Sequence, residues 1–214
     1  MLINLASLEG KTVLAFSAHC DDVAIGCAGL LRRIMRDTKA KACLRAVTFC
    51  GGDDSTRGAE ERHAMTALGC QEQTILSFPD TQLPENSLLI KKEMLDIRDR
   101  IGEREIGLIL CPRLEDRHQD HRAVAENIWR VFRLALIVEY EIAKYEADLG
   151  SPNVYVRLGD EDAAWKVELL LSAYPSRKRH HWWSAQTFYA LMRLRGVECN
   201  SPFAEGMYCR KLAV

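Results

Sequence analysis

The chain has 214 residues, a formal net charge of −1, and 48% hydrophobic against 28% charged residues. That length suits one domain with a full core, and the near-neutral balance gives no reason to expect a nucleic-acid or membrane partner. The start of the chain lacks a basic segment followed by a long apolar core, and the longest apolar runs, such as Leu134–Val138, are too short to span a bilayer; a soluble, cytoplasmic protein is expected.

In chain order, Thr12–Ser17 is a short apolar run that reads as a buried parallel strand, followed by a loop, AHCDDVAIGCAG. Gly29–Asp37 reads as a helix and Cys43–Phe49 as a second strand. Arg57–Leu68 is helical and is stopped by Gly69. Thr74–Phe78 is a third strand, Leu88–Ile101 an amphipathic helix, Ile106–Cys111 a fourth strand and Asp120–Arg133 a helix. Beyond these, Ala135–Tyr145 and Asn153–Arg157 read as strands, and Ala163–Tyr174 and Ala185–Arg195 as helices. The alternation predicts an α/β fold: a Rossmann-like, mostly parallel sheet with helices on both faces and a C-terminal cap. One domain over residues 1–214 is expected, its core about 1–134 and its cap about 135–214, grown from the same sheet.

The eight cysteines (Cys20, Cys27, Cys43, Cys50, Cys70, Cys111, Cys199 and Cys209) are scattered among apolar neighbours without a CxxC pair, so free thiols are expected.

Ligands of such sheets sit outside the carboxyl ends of the strands. The loops there that are richest in His and Asp are Ala18-His19-Cys20-Asp21-Asp22 and Asp116-Arg117-His118-Gln119-Asp120-His121. Two histidines and a carboxylate form a ligand set that suits zinc or ferrous iron and leaves a position for water. His19 and Asp22 are close enough for one tight turn to aim both at one ion, with a third ligand from the distant loop. The blander reading makes the second loop a helix start, with Asp120 as N-cap. The run Gly26-Cys27-Ala28-Gly29 fits a dinucleotide turn poorly, because it is not GxGxxG and two acids precede it; close helix packing accounts for it better.

These residues also resemble a known family. AHCDDVAIGCAG is similar to the AHPDD signature of the LmbE/PIG-L superfamily of N-acetylglucosaminyl deacetylases. Arg57–Glu60 with Leu68-Gly69, then Phe78-Pro79-Asp80, Pro112 with His118–His121, and Phe203-Ala204-Glu205-Gly206 resemble its later motifs. The resemblance implies a metal-dependent hydrolase that releases acetate and a free amino sugar from an N-acetylglucosamine-type sugar or its nucleotide, lipid or glycoside conjugate. A different small amide conjugate, or a catalytically silent metal-binding scaffold, are the alternatives.

Carried over by residue, the resemblance assigns a divalent metal, Zn²⁺ before Fe²⁺, to His19, Asp22 and His121. Asp21 becomes the general base and His118 the electrophilic partner, protonated and paired with Asp120. Arg57 and Asp80 would contact the sugar, and a homo-oligomer is compatible with the family. The sequence departs from the pattern at Cys20, where the family has Pro, at Ala28 in its glycine run, and at Val23 and Ala24, where an acid is common after the Asp pair.

Overall fold

The computed structural model describes residues 5–212. Its strands are β1 (Thr12–Ser17), β2 (Cys43–Thr48), β3 (Glu72–Ile75), β4 (Ile106–Pro112), β5 (Leu136–Tyr140), β6 (Val154–Leu158) and β7 (Phe203–Tyr208). The helices are α1 (Asp22–Asp37), α2 (Ser55–Ala67), α3 (Ser87–Ile101), α4 (Gln119–Val131), α5 (Asp160–Ala173) and α6 (Ala185–Glu198). One seven-stranded sheet runs in the order β3-β2-β1-β4-β5-β7-β6. The first five strands are parallel, while β7 is antiparallel to both β5 and β6. The mostly parallel α/β fold expected from the alternation is therefore present.

Both sheet faces are covered, which explains why the central strands are apolar runs without alternation. On one face Val13, Ala15 and Leu110 join a cluster containing α1, α2, α5 and α6 residues such as Leu31, Met65, Leu170 and Met192. On the other, Leu14, Phe16 and Ile109 pack with Ile90, Met94, Val124 and Ile128 of α3 and α4. All eight cysteines are free, as expected.

Sequence and structure differ most at α1. The helix begins at Asp22, not Gly29, and kinks at Cys27, whose φ of −147° and ψ of 21° leave the helical region. The kink frees backbone groups that must find other partners. Glu205 of β7 accepts from the N–H groups of Gly29 (2.7 Å) and Leu30 (2.8 Å). Lys166 of α5 donates to the Ile25 carbonyl (2.6 Å) and to Glu205 (2.7 Å). The glycine run is a packing feature, as read. A Cβ on Gly26 would lie 2.2 Å from Tyr140 Cδ2, and one on Gly29 would lie 2.9 Å from Glu205 Oε1 and Leu158.

The long fifth strand expected over Ala135–Tyr145 stops at Tyr140. Its buried acids are satisfied, as burial requires. Glu139 accepts from Trp129 Nε1 (2.7 Å) and Arg210 Nε (2.6 Å), and Glu141 pairs with Arg195 (2.7 Å). Strand β7 carries no strong strand signal in its sequence, yet it is the link that joins β6 to the rest of the sheet.

Candidate metal centre

The strand order reverses direction between β1 and β4, which are neighbours in the sheet. At such a switch point the loops beyond the two strands diverge and leave a crevice between them. The two His/Asp loops leave these two strands. The first turns sharply into α1 through Asp21, whose φ of 102° puts a non-glycine residue in the left-handed region. Asp tolerates this better than most residues, and the strain is about 1–3 kcal/mol, characteristic of functional sites. The second loop enters α4 with His118, not Asp120, as N-cap: the His118 ring accepts from the Asp120 N–H (3.3 Å).

The turns bring His19, Asp22 and His121 together, with one donor atom from each within 4.8 Å of the others. His19 Nδ1 lies 3.2 Å from His121 Nε2, and Asp22 Oδ2 lies 3.8 Å and 3.4 Å from these nitrogens. The opposite ring nitrogens face carboxylates. Asp116 Oδ2 is 2.9 Å from His121 Nδ1, while Asp80 (2.9 Å) and Asp120 (3.0 Å) flank His19 Nε2. Such partners fix the tautomer, so the lone pairs of Nδ1 and Nε2 face each other across a shared space. Two buried rings in that arrangement, set among four carboxylates, are matched chemically to a divalent cation.

The protonation preferences say the same. Burial would lower both histidines. For His19 the hydrogen-bonded Asp120 and Asp80 and the charge of Asp22 reverse this and lift it to about 10. For His121 the charge of Asp22 and the bond to Asp116 lift it to about 9. Asp22 is held well below the carboxylate range against the effect of burial by His121 and His19. The site demands positive charge.

Asp21 is buried beside these groups. Burial pushes its carboxyl up, Arg177 pulls it down and the charge of Asp22 raises it again, to about 6. Arg177 Nε is 2.5 Å from Asp21 Oδ2. The Asp21 N–H donates to Glu61 (2.9 Å), which also accepts from Tyr174 (2.6 Å). An acid behind the Asp pair is thus present, but it comes from α2 instead of position 23 or 24. Burial pushes the Cys20 thiol up to about 12, so it is a protonated neighbour and no thiolate ligand.

The α4 N-terminus turns the Asp120 carboxylate toward His19, where the Thr81 (2.7 Å) and Leu83 (3.1 Å) N–H groups also hold it, and an Asp120 oxygen also lies within 4.8 Å of a His118 ring nitrogen. His118 is lowered from the ordinary histidine value by burial and by the charges of His121 and His19, against the raising charges of Asp120 and Asp22. Its Nδ1 is already an acceptor, so the neutral ring carries its proton on Nε2.

An open cleft of about 200 Å³ lies over the site, lined by His19, Asp21, Asp22, His118 and His121 together with residues 142–146, Arg177, His180 and Trp182. Arg57 and Asp80 are not among the described residues that line it. Arg57 lies 3.5 Å from Asp80, which is turned toward His19. Arg177, Glu61, Asp116 and Lys144 have places at the site that the sequence did not assign. A carboxylate on the apolar stripe Glu61, Ala64, Met65 and Leu68 was the one readable signal. Arg177 is hidden in the basic run Arg177-Lys178-Arg179.

Fold and site together define a doubly wound α/β protein with a His/His/Asp cluster at its switch point. The chain belongs to the family described as PIG-L, GlcNAc-PI de-N-acetylase, which matches residues 14–132. It is 34% identical over 119 residues to an uncharacterized deacetylase, YaiS, of Escherichia coli (strain K12); the matched stretch covers 53% of this chain and 64% of that protein. Among solved structures it is similar to N,N'-diacetylchitobiose deacetylase from Pyrococcus horikoshii (TM-score 0.72, 18% identity, 97% of this chain and 86% of that one). It is also similar to the 4-carboxy-2-hydroxymuconate hydratase of Pseudomonas putida KT2440 (TM-score 0.66, 15% identity, 95% and 98%). The fold thus hosts more than one reaction, and the chemistry must be argued from the site. No helix among the described residues is long and apolar enough to cross a membrane.

Proposed function

We propose that the protein is a metal-dependent N-deacetylase that hydrolyses the acetamide of an N-acetylated sugar to acetate and a free amine. The observation that carries this reading is the convergence of His19 Nδ1, Asp22 Oδ2 and His121 Nε2 beside Asp21 at one end of an open cleft. These three residues would hold a divalent ion, zinc or ferrous iron, which lowers the pKa of water and polarises a carbonyl.

The chain's own groups supply the rest. Asp21 faces the cleft and takes the proton of the attacking water, then returns it to the leaving amine. Arg177 and Glu61 keep it in place, one at the carboxylate and one at the backbone N–H. His118 turns Nε2–H toward the acetyl oxygen as charge develops there; as a neutral donor it needs no added proton. Asp120 and Asp116 orient His19 and His121. Arg57 and Asp80 are assigned to the sugar through the exposed side of Asp80, 52% of whose side chain is open to solvent.

The test is to measure bound metal and released amine together. Asp21→Asn is expected to keep its metal and lose about 100-fold or more in turnover. His121→Ala is expected to lose the metal. Unchanged turnover in the first variant, or full occupancy in the second, overturns the assignment.

A further inference from the structure

Two successive residues of α2, Glu60 and Glu61, are buried carboxylates that form no ion pair among the described residues. Burying such groups is costly unless hydrogen bonds satisfy them, and apolar side chains would pack there more cheaply. Both reach one segment, residues 174–183, which joins α5 to α6 and lines the cleft through Arg177, His180 and Trp182. Glu61 accepts from the Tyr174 hydroxyl (2.6 Å). Glu60, the last residue of the Arg57–Glu60 motif, accepts twice from Ser176: from its backbone N–H (2.8 Å) and from its hydroxyl (2.6 Å), across 116 residues of chain.

The short 3-10 helix Pro175–Arg179 begins with proline and receives no side-chain cap from Tyr174. The Ser176 N–H is therefore the first donor that its backbone offers. Glu60 takes that donor, and the next residue is Arg177, whose Nε lies 2.5 Å from Asp21 Oδ2. Further along, His180 Nε2 and Trp182 Nε1 have no hydrogen-bond partner among the described residues. The polar side-chain anchors of the segment thus lie at α2 and at the turn that carries Asp21. Glu61 touches Asp21 directly, at its N–H (2.9 Å), whereas Glu60 reaches it by way of Ser176 and Arg177.

We propose that Glu60 is a positioning residue for the general base: through Ser176 it clasps residues 174–183 to α2 and so keeps the Arg177 guanidinium seated on the Asp21 carboxylate. The inference rests on the deacetylase reading, in which Asp21 moves the proton. The clasp uses hydrogen-bond acceptance and not charge. A carboxamide at position 60 presents the same acceptor to the Ser176 N–H and can donate to its Oγ.

The test is a double-mutant cycle on the metal-loaded enzyme, with bound metal and released amine measured on N-acetylglucosamine and N,N'-diacetylchitobiose. Glu60→Ala is expected to keep its metal and to lose about 10- to 100-fold in kcat, as a displaced catalytic group does. Glu60→Gln is expected to stay within about twofold of the parent. In an Arg177→Ala background, Glu60→Ala is expected to cost less than about twofold more, because both act on one contact. Ser176→Ala leaves α2 untouched and carries the same cycle where Glu60→Ala does not fold, with an expected loss of about threefold. Parent-like kcat in the Ala variants, an equal loss in Glu60→Gln, or losses that multiply in the double variant overturn the clasp.

If neither sugar is turned over, the deacetylase reading falls by itself. The clasp is then decided by phenylglyoxal labelling of arginines, read by mass spectrometry. Arg177 is expected to label at least about threefold faster in Glu60→Ala than in the parent, while the exposed Arg193 of α6 labels alike in both. An unchanged Arg177 rate refutes it.

Discussion

Replacing Glu205 by Ala removes one carboxylate that completes three donors at the α1 kink. The Gly29 and Leu30 N–H groups at 2.7 and 2.8 Å and the Lys166 ammonium at 2.7 Å all converge on it. Glu205 and Lys166 are both buried. Removing one partner of a buried ion pair costs roughly 3–5 kcal/mol, because the other charge is stranded. Each orphaned backbone N–H adds about 1 kcal/mol or more. The expected loss is about 5–7 kcal/mol, which for a chain of this size is a fall of roughly 10–30 °C in Tm. Glu205→Gln keeps an acceptor for the backbone but strands Lys166, and should fall in between. Lys166→Met combined with Glu205→Gln removes both charges and should be more stable than Glu205→Ala. Urea unfolding followed by circular dichroism gives the ordering. A Glu205→Ala variant within 1 kcal/mol of the parent would refute the claim that this carboxylate holds the kinked helix, and with it the position of Asp22.

Glu61 makes a pH prediction. Burial raises its carboxyl to about 7 from 4.5, against the pull of Tyr174 and of the Asp21 N–H. The protonated form is the one the fold favours, so its stabilising contribution is full below pH 4.5 and is lost as pH rises through 7. Metal-free parent protein should therefore lose up to about 3 kcal/mol relative to Glu61→Gln across that window; parallel pH profiles for the two proteins would contradict it. Gly26→Ala should cost about 1–3 kcal/mol by overpacking, since its Cβ would sit 2.2 Å from the Tyr140 ring, and an unchanged denaturation midpoint would show that the ring yields. Asp116→Asn should weaken metal binding about 10–100-fold in a competition titration, because Asp116 Oδ2 is 2.9 Å from His121 Nδ1; equal affinity would remove it from the centre.

Much of the site was legible because its signals are local. Strand–helix alternation placed β1 and β4, and a parallel strand exposes its ligands at the carboxyl end, so the two His/Asp loops could be singled out from one dimension. The family signature then separated Asp21 from Asp22. The contact of Asp120 with His19 was not legible for a geometric reason: the rotation of the first turn of α4 decides which neighbour each side chain meets, and spacing in the sequence does not encode it.

The sequence by itself determined the parallel α/β frame, the edge at which chemistry could occur and the residue types gathered there, since burial patterning and strand-end loops are properties of short segments. The tertiary structure alone decided the kink in α1, the place of β7, the engagement of Arg177 and Glu61 with Asp21, and the character of the cleft wall. Each of these depends on a partner far along the chain: Glu205 lies 176 residues from Gly29 and Arg177 lies 157 from Cys20. A buried charge or a freed N–H is satisfied by whichever group the fold delivers, and no local pattern announces that delivery.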